Sequence, residues 1–241
     1  MAAPDRGVLV QPRGVTIAVP KGRILKQLAA LLHRVGVRPE TLLAEDRKLV
    51  REDPEAGISF LLLKPDDVPT YVEYGAADLG VVGRDVLLER DYDLYAPVDL
   101  GIGRCRMMVA GLPDRPPAQR TLRVATKFPN IAGAHYARKG VPVEIIFVQG
   151  SVELAPITGL ADVIVDLVES GETLRQNGLV TLEHVCDVSS VVVANRAALK
   201  LKREALAPIL AALDPGHPER SAREDARTAK PSARRASRSA R

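Results

Sequence analysis

The sequence predicts an α/β chain folded into two lobes, and three observations carry that prediction. Short apolar runs alternate with segments of helical periodicity, the pattern of sheets flanked by helices. The 241 residues are enough for one large domain or two smaller ones, each with its own core. Third, GAADLGVVGRDVL from Gly75 and GLADVIVDLVESGETL from Gly159 share Gly-x-Ala-Asp before an apolar strand, 84 residues apart. Helix-to-strand junctions often look alike, but the echo also fits two lobes of similar topology, each presenting a strand end and a loop to one cleft.

In chain order, Val15 to Val19 reads as a strand, Pro20-Lys21-Gly22 as a turn, and Ile24, Leu25, Leu28, Leu31, Leu32 and Val35 as the apolar face of a helix. Ile58 to Lys64 is a second strand, Asp67-Val68-Pro69 opens a helix through Tyr74, and Asp78 to Gly83 is a third strand. Leu122 to Ala125 and the helix to about Arg138 repeat the unit, followed by the run from Val143: strand, loop, short helix, strand, turn, helix. Strands at Thr181 to Val185 and Ser189 to Arg196 and a helix over Ala197 to Leu213 close the fold. The expected division is a disordered N-terminus (1–13), lobe I from 14–102 plus 187–213, lobe II from 103–186, and a disordered basic tail (214–241), whose Pro, Ser, Ala and Arg cannot bury enough to offset ordering entropy.

Composition narrows the function. Aromatics are 3% and Trp is absent, which argues against a base-stacking nucleic-acid platform. The net charge of +4 is a property of the tail: residues 215–241 hold eight Lys or Arg and three acids, leaving the rest at −1. Nonspecific nucleic-acid binding by the tail is the most that basicity implies. Cys105 and Cys186 have no zinc or disulfide spacing and read as reduced thiols of a cytoplasmic protein. Pro4, Asp5, Arg6, Pro12 and Arg13 break up any signal-peptide core, and no apolar run is long enough to span a bilayer.

The segment VIVDLVESGETLRQNG, Val163 to Gly178, begins as a buried strand and turns abruptly into Ser170-Gly171-Glu172-Thr173. A strand that runs into a helix brings unpaired N–H groups to its carboxyl end; Gly171 permits close approach, and Ser170 and Thr173 add hydroxyl donors suited to phosphate. Asp166 stands where a carboxylate could hold ribose hydroxyls or a magnesium-bound water. On the residues alone a second reading stays open, in which Ser170 or Thr173 caps a helix and Asp166 is a solvated strand end. Lys21 and Arg23 flank Gly22 at a strand-to-helix turn, where cations oppose the helix dipole unless an anion is near.

The turn resembles the phosphoribosyl-diphosphate loop of phosphoribosyltransferases, with Val165 where the common form has a first acid. Taken together, IAVPKGRI, DVPTYVEYGAADLGVVGRDVL, LGIGRCRMMVAG, VATKFPNIA, the stretch from Gly150 to Leu179, and NRAALKLK resemble the ATP phosphoribosyltransferase family, from about Val15 to Leu213. The resemblance implies a two-lobed, periplasmic-binding-protein-like (type II) fold, each lobe a mostly parallel sheet flanked by helices. It implies that ATP N1 displaces diphosphate from phosphoribosyl diphosphate, the first step of histidine biosynthesis, with Mg²⁺ required. Such a displacement needs positioning and electrostatics more than acid–base groups, so the lack of a Ser-His-Asp or Cys-His pattern agrees with it.

Carried over by residue, the resemblance implies that Ser170, Gly171, Glu172 (backbone), Thr173 and Leu174 (N–H) cradle the 5-phosphate. Asp166, with Glu169 as a further candidate, holds the ribose diol. Lys21, Gly22 and Arg23 face the diphosphate or triphosphate, Lys21 and Arg23 as catalytic cations. Lys64 stands where relatives often carry Arg, and Glu153 orients ribose or magnesium; for Glu153 the alternative is the first turn of a helix capped by Ser151. Mg²⁺ rides on phosphates without direct protein ligands. Asp78 and Asp162 are structural, His135 lies on a helix surface, and His33, His184 and His217 show no metal spacing. The short form of the family implies a separate regulatory subunit similar to histidyl-tRNA synthetase, in a hetero-octamer with a catalytic dimer core. The competing reading is a two-lobed small-molecule binding module without catalysis.

Overall fold

The computed structural model describes residues 14–113 and 121–216; the expected disordered N-terminus (1–13) and residues 217–241 of the expected tail lie outside the described residues. In chain order the strands are β1 (Val15–Pro20), β2 (Val50–Asp53), β3 (Ile58–Leu63), β4 (Leu79–Gly83), β5 (Tyr95–Asp99), β6 (Cys105–Gly111), β7 (Leu122–Thr126), β8 (Val143–Phe147), β9 (Val163–Val168), β10 (Val180–Val188) and β11 (Ser190–Ala194). The helices are α1 (Leu25–Leu32), α2 (Pro39–Leu43), α3 (Val68–Glu73), α4 (Arg84–Glu89), α5 (Pro129–Arg138), α6 (Leu154–Thr158), α7 (Glu172–Gln176), α8 (Arg196–Leu201) and α9 (Arg203–Leu213).

Two sheets form, ordered β2-β3-β1-β4-β11-β5 and β10-β6-β9-β7-β8. Each is mixed around a parallel centre: β2 and β11 run against the other four strands of the first sheet, and β6 alone is reversed in the second. All six residues of β1 are buried, as a central strand covered on both faces requires. Its period of two sends Ile17 and Val19 to a core shared with α1 and α9, and Ala18 to the opposite core against α3. In the second sheet Ile164 packs toward α6 and α7, and Val165 toward α5.

The two echo aspartates form one device built twice. The Asp78 N–H donates to the Thr16 carbonyl and the Thr16 N–H to Asp78 Oδ2, both at 2.8 Å. The Asp162 N–H donates to the Arg123 carbonyl and the Arg123 N–H to Asp162 Oδ2, both at 2.9 Å. Each buried carboxylate therefore sets the start of one parallel strand against its neighbour.

Some elements escape apolar periodicity. In β2 the pattern is inverted, with Val50 exposed and Arg51 and Asp53 buried. The Arg51 guanidinium donates to the carbonyls of Leu42 and Ala44 at 2.7 Å, at the end of α2, and Asp53 accepts from the Arg38 N–H at 2.9 Å and the Thr41 hydroxyl at 3.1 Å. The expected final helix is two, broken at Lys202 (φ −117°, ψ 27°), whose ammonium turns back to Asp78 Oδ2 at 2.8 Å and the Gly14 carbonyl at 3.1 Å. His135, expected on a helix surface, is buried with Nε2 3.3 Å from Glu183 Oε1, because the face of α5 that carries His135 and Tyr136 packs on the sheet.

Replacing Asp78 or Asp162 by Ala leaves a strand-starting N–H without its acceptor. Each variant should lose about 1–3 kcal/mol of stability, read as a Tm lowered by roughly 3–10 °C for a chain of this size. An unchanged Tm in both would show that these carboxylates do not hold the strands.

Candidate active site

β9 enters the cleft between the sheets as an apolar strand and leaves it as a polar turn. Ile164 and Val165 are fully buried, Asp166 is half-buried, and Glu169 and Ser170 are exposed. Gly171 has φ +78°, a conformation costly for a residue with a Cβ, so the reversal into α7 calls for glycine. Ser170 Oγ accepts the Glu172 N–H at 3.3 Å. The Glu172 carboxylate is engaged by Arg175 at 2.6 and 2.9 Å and by Gln176 at 2.8 Å, so its side chain is already committed within α7. Leu174 is buried and pins α7 to the core on that face. With only five residues in α7, an anion here would meet loop N–H groups and hydroxyls rather than a substantial helix dipole.

Arg23, Glu153, Asp166 and Glu169 join Ser170 to Leu174 around one cavity of about 210 Å³. Arg23 forms an ion pair with Glu169, so the turn after β1 reaches the strand end of the other sheet. Lys21, Gly22 and Lys64 do not line this cavity. Pro20 and Leu63 are partners in register, so Lys21 and Lys64 leave the ends of neighbouring parallel strands, and the Lys21 N–H donates to the Leu63 carbonyl at 2.9 Å. No side-chain cap forms at the start of α6, so the alternative in which Ser151 caps it lacks its hydrogen bond.

Burial pushes the Asp166 carboxyl up to about 6; the Leu167 N–H and Lys127 oppose the rise, and the negative charges of Glu153 and Asp85 add to it. Asp85, buried at the start of α4, is also raised, chiefly by burial. Burial raises the Cys105 thiol too, with Asp85 the next cause. Among the described residues no three or more His, Cys, Asp or Glu side chains gather as a metal cage.

Two further contacts cross the cleft. Lys127 Nζ lies 2.8 Å from Asp66, and the Glu89 carboxylate accepts the N–H groups of Asn130 at 2.9 Å and Ile131 at 3.0 Å. Sequence reasoning missed Lys127, Asp85 and Glu89. For Lys127 a signal existed, since it follows β7 as Lys21 follows β1; Asp85 and Glu89 sit in a short helix whose sequence advertises nothing.

Two mixed sheets facing each other across a cleft define a class, the two-lobed α/β proteins of the type II periplasmic-binding architecture. The VFT2 domain of Bordetella pertussis BvgS shares this fold at 14% identity and a TM-score of 0.53, with 83% of this chain and 85% of that one covered. Within that class the sequence is more particular: the HisG family model, ATP phosphoribosyltransferase, matches residues 64–215. A Sorangium cellulosum ATP phosphoribosyltransferase is 57% identical over 201 residues, covering 81% of this chain and 92% of the relative. A Geobacter sulfurreducens relative, ATP phosphoribosyltransferase 2, is 48% identical over 205 residues, covering 83% and 97%. The Thermotoga maritima ATP phosphoribosyl transferase (HisG:HisZ) complex contains a chain of 37% identity and TM-score 0.72, with 83% of this chain and 95% of that one covered. The chain belongs to the ATP phosphoribosyltransferase family.

Because the folded state raises the Asp166 carboxyl from 3.8 to about 6, it holds that proton more tightly than the unfolded chain does. The contribution of this group to stability is therefore present below about pH 4 and lost as pH rises through about 6. Asp166→Asn should raise Tm at pH 7.5 and give no gain at pH 4; equal effects at both pH values would contradict the assignment.

Proposed function

We propose that the chain transfers the phosphoribosyl group of phosphoribosyl diphosphate to N1 of ATP with release of diphosphate, the first step of histidine biosynthesis. Family membership supports the reaction. The observation that carries the site is one cavity in which the Ser170-Gly171-Glu172-Thr173 turn, Asp166 and Arg23 meet.

The 5-phosphate would sit on the Ser170 and Thr173 hydroxyls and the N–H groups of Gly171 to Leu174, leaving the ribose over Asp166. Above about pH 6 Asp166 is ionised, and it can then accept from the ribose diol and offset the positive character that develops on the ring as diphosphate leaves. Glu169 and Glu153, on the same walls, would complete the ribose contacts. Arg23 is paired with Glu169 in the free protein, and the departing diphosphate would replace Glu169 as its partner. Lys21 and Lys64, at the adjoining strand ends, would draw the same diphosphate away from C1. The acceptor nitrogen is neutral, so no side chain need remove a proton before attack.

The oxygen-bearing side chains of Glu153, Asp166, Glu169, Ser170 and Thr173 in the cavity wall fit Mg²⁺, and no cage gathers among the described residues, so the ion would be held by substrate phosphates with Glu153 or Asp166 at most beside it. Bound there it would neutralise polyphosphate charge. The lobes are read as 14–102 plus 187–213 and 103–186. Likeness to a chain of the Thermotoga HisG:HisZ complex supports assembly with a second, regulatory subunit; that subunit is read as similar to histidyl-tRNA synthetase, and the assembly as a hetero-octamer built on a catalytic dimer. A cytoplasmic location follows from a biosynthetic role; among the described residues no helix is long and apolar enough to cross a membrane.

Mixing the chain with ATP, phosphoribosyl diphosphate and Mg²⁺ and following adduct absorbance tests the reading. The chain alone should be weakly active or inactive, and addition of the regulatory subunit should restore turnover; a binding module would release no diphosphate under either condition. Thr173→Val removes one hydrogen bond to a charged phosphate and should raise KM for the donor roughly tenfold or more. Lys21→Ala should lower kcat roughly 100-fold, the scale of one lost transition-state charge contact. Unchanged kinetics in both variants would remove the site assignment.

A further inference from the structure

Helix α5 has no N-terminal cap of its own. It is preceded by Phe128, which offers no side-chain acceptor, and its first turn carries no acid. Pro129 opens the helix without an N–H, and the Ala132 N–H already reaches the Phe128 carbonyl at 3.0 Å. The donors that the helix itself leaves unpaired are therefore those of Asn130 and Ile131.

Both are satisfied by one carboxylate from across the cleft. Glu89, the last residue of α4, accepts the Asn130 N–H on Oε1 at 2.9 Å and the Ile131 N–H on Oε2 at 3.0 Å, and the Asn130 side-chain amide donates to the Glu89 carbonyl at 2.8 Å. The same turn is held from a second side by Asp66, which follows β3 and lies 2.8 Å from Lys127 Nζ. Asp66, Glu89, Lys127 and Phe128 meet around a cavity of about 60 Å³.

Behind this turn the hydrogen bonds continue toward Asp166. The Phe128 N–H donates to the Thr126 hydroxyl at 2.9 Å, and that hydroxyl donates to the Val165 carbonyl at 2.6 Å, one residue before Asp166. Thr126 is fully buried, so whatever ties the β7–α5 turn to α4 also ties the end of β9 to the first sheet. The proposed donor site is divided in the same way. Its turn from Ser170 to Leu174 belongs to the second sheet, and Lys21, Arg23 and Lys64 belong to the first. The pairs Arg23–Glu169 and Lys127–Asp66 are partly exposed, and such pairs hold weakly in water. A carboxylate bonded to two backbone N–H groups at a helix start holds more firmly.

We propose that Glu89 is a positioning residue: by capping α5 across the cleft it latches the two lobes in the closed arrangement that assembles the site, and it touches neither substrate. This rests on the phosphoribosyl-transfer reading and deepens it by naming what sets the closure. In the closed form the cap is made; in the open form the Asn130 and Ile131 N–H groups are given to water. Weakening the latch lowers the closed fraction, and the apparent affinity of every ligand that needs the closed form falls in the same proportion. Saturating substrate restores closure.

The test compares Glu89→Gln and Glu89→Ala in the full chain, assembled with its regulatory subunit. Glu89→Ala should raise KM for ATP and KM for phosphoribosyl diphosphate by one common factor, roughly fivefold or more, with kcat within about twofold of the unaltered enzyme. Glu89→Gln keeps one acceptor oxygen and should fall between. A rise in one KM alone makes Glu89 a substrate contact and overturns the proposal. So does a lowered Tm with both KM values unchanged, the mark of a purely structural cap. Should Glu89→Ala not fold, amide exchange in the unaltered chain decides. Phosphoribosyl diphosphate with Mg²⁺ should slow exchange of the Asn130 and Ile131 N–H groups roughly tenfold, together with the amides of the turn from Ser170 to Leu174. Protection of the turn without Asn130 and Ile131 overturns the latch. Protection of neither, with no adduct formed by the unaltered assembly, defeats the functional reading itself.

Discussion

The structure depends on the parallel pairing of β1 with β3 and β4, and of β7 with β8 and β9. Parallel strands release their chains at one edge, so every loop that follows them gathers there. Facing two such edges across a cleft concentrates the turn after β1, the end of β3, Lys127 after β7 and the Ser170-Gly171 turn after β9 in one place. The duplicated Asp78 and Asp162 contacts set the opposite ends of the same strands. Register at one edge thereby positions chemistry at the other.

That convergence has an electrostatic consequence. Asp166, Glu153 and Glu169 line one cavity, Asp85 adds its negative charge to Asp166, and the carboxyls of Asp166 and Asp85 are raised. Cations arrive mostly from the facing sheet, as Arg23 does for Glu169, so the pairs that temper the charge also draw the lobes together. Glu89, accepting two N–H groups at the start of the ten-residue α5, adds a contact of the same kind. A cleft loaded this way is poorly satisfied by itself. A polyanionic ligand with its counter-ions would relieve what the free protein must tolerate, a common bargain between stability and function.

Much of this was legible because its signals are local. β1, β3, β7 and β9 carry mostly apolar runs, and the change from Val168 to Ser170-Gly171 marks the turn within three residues. The paired aspartates were visible as an echo and read as structural. By contrast β2 hides behind its inverted pattern, because Arg51 and Asp53 are buried through hydrogen bonds that periodicity does not register. His135 looked like a surface residue because nothing nearby in the chain reveals that its side of α5 packs inward.

The sequence by itself determined the class of fold, the family and the position of the polar Ser170-Gly171 turn, since each is written in neighbouring residues: strand period, turn chemistry and motif order. Only the tertiary structure decided that Arg23 meets Glu169, that Asp166 is desolvated enough for its carboxyl to rise to about 6, and that Arg106 stands on Asp166's face of the sheet. These are properties of distance, burial and strand order between segments remote in the chain. Sheet register and the closure of two lobes create them, and no local pattern encodes either one.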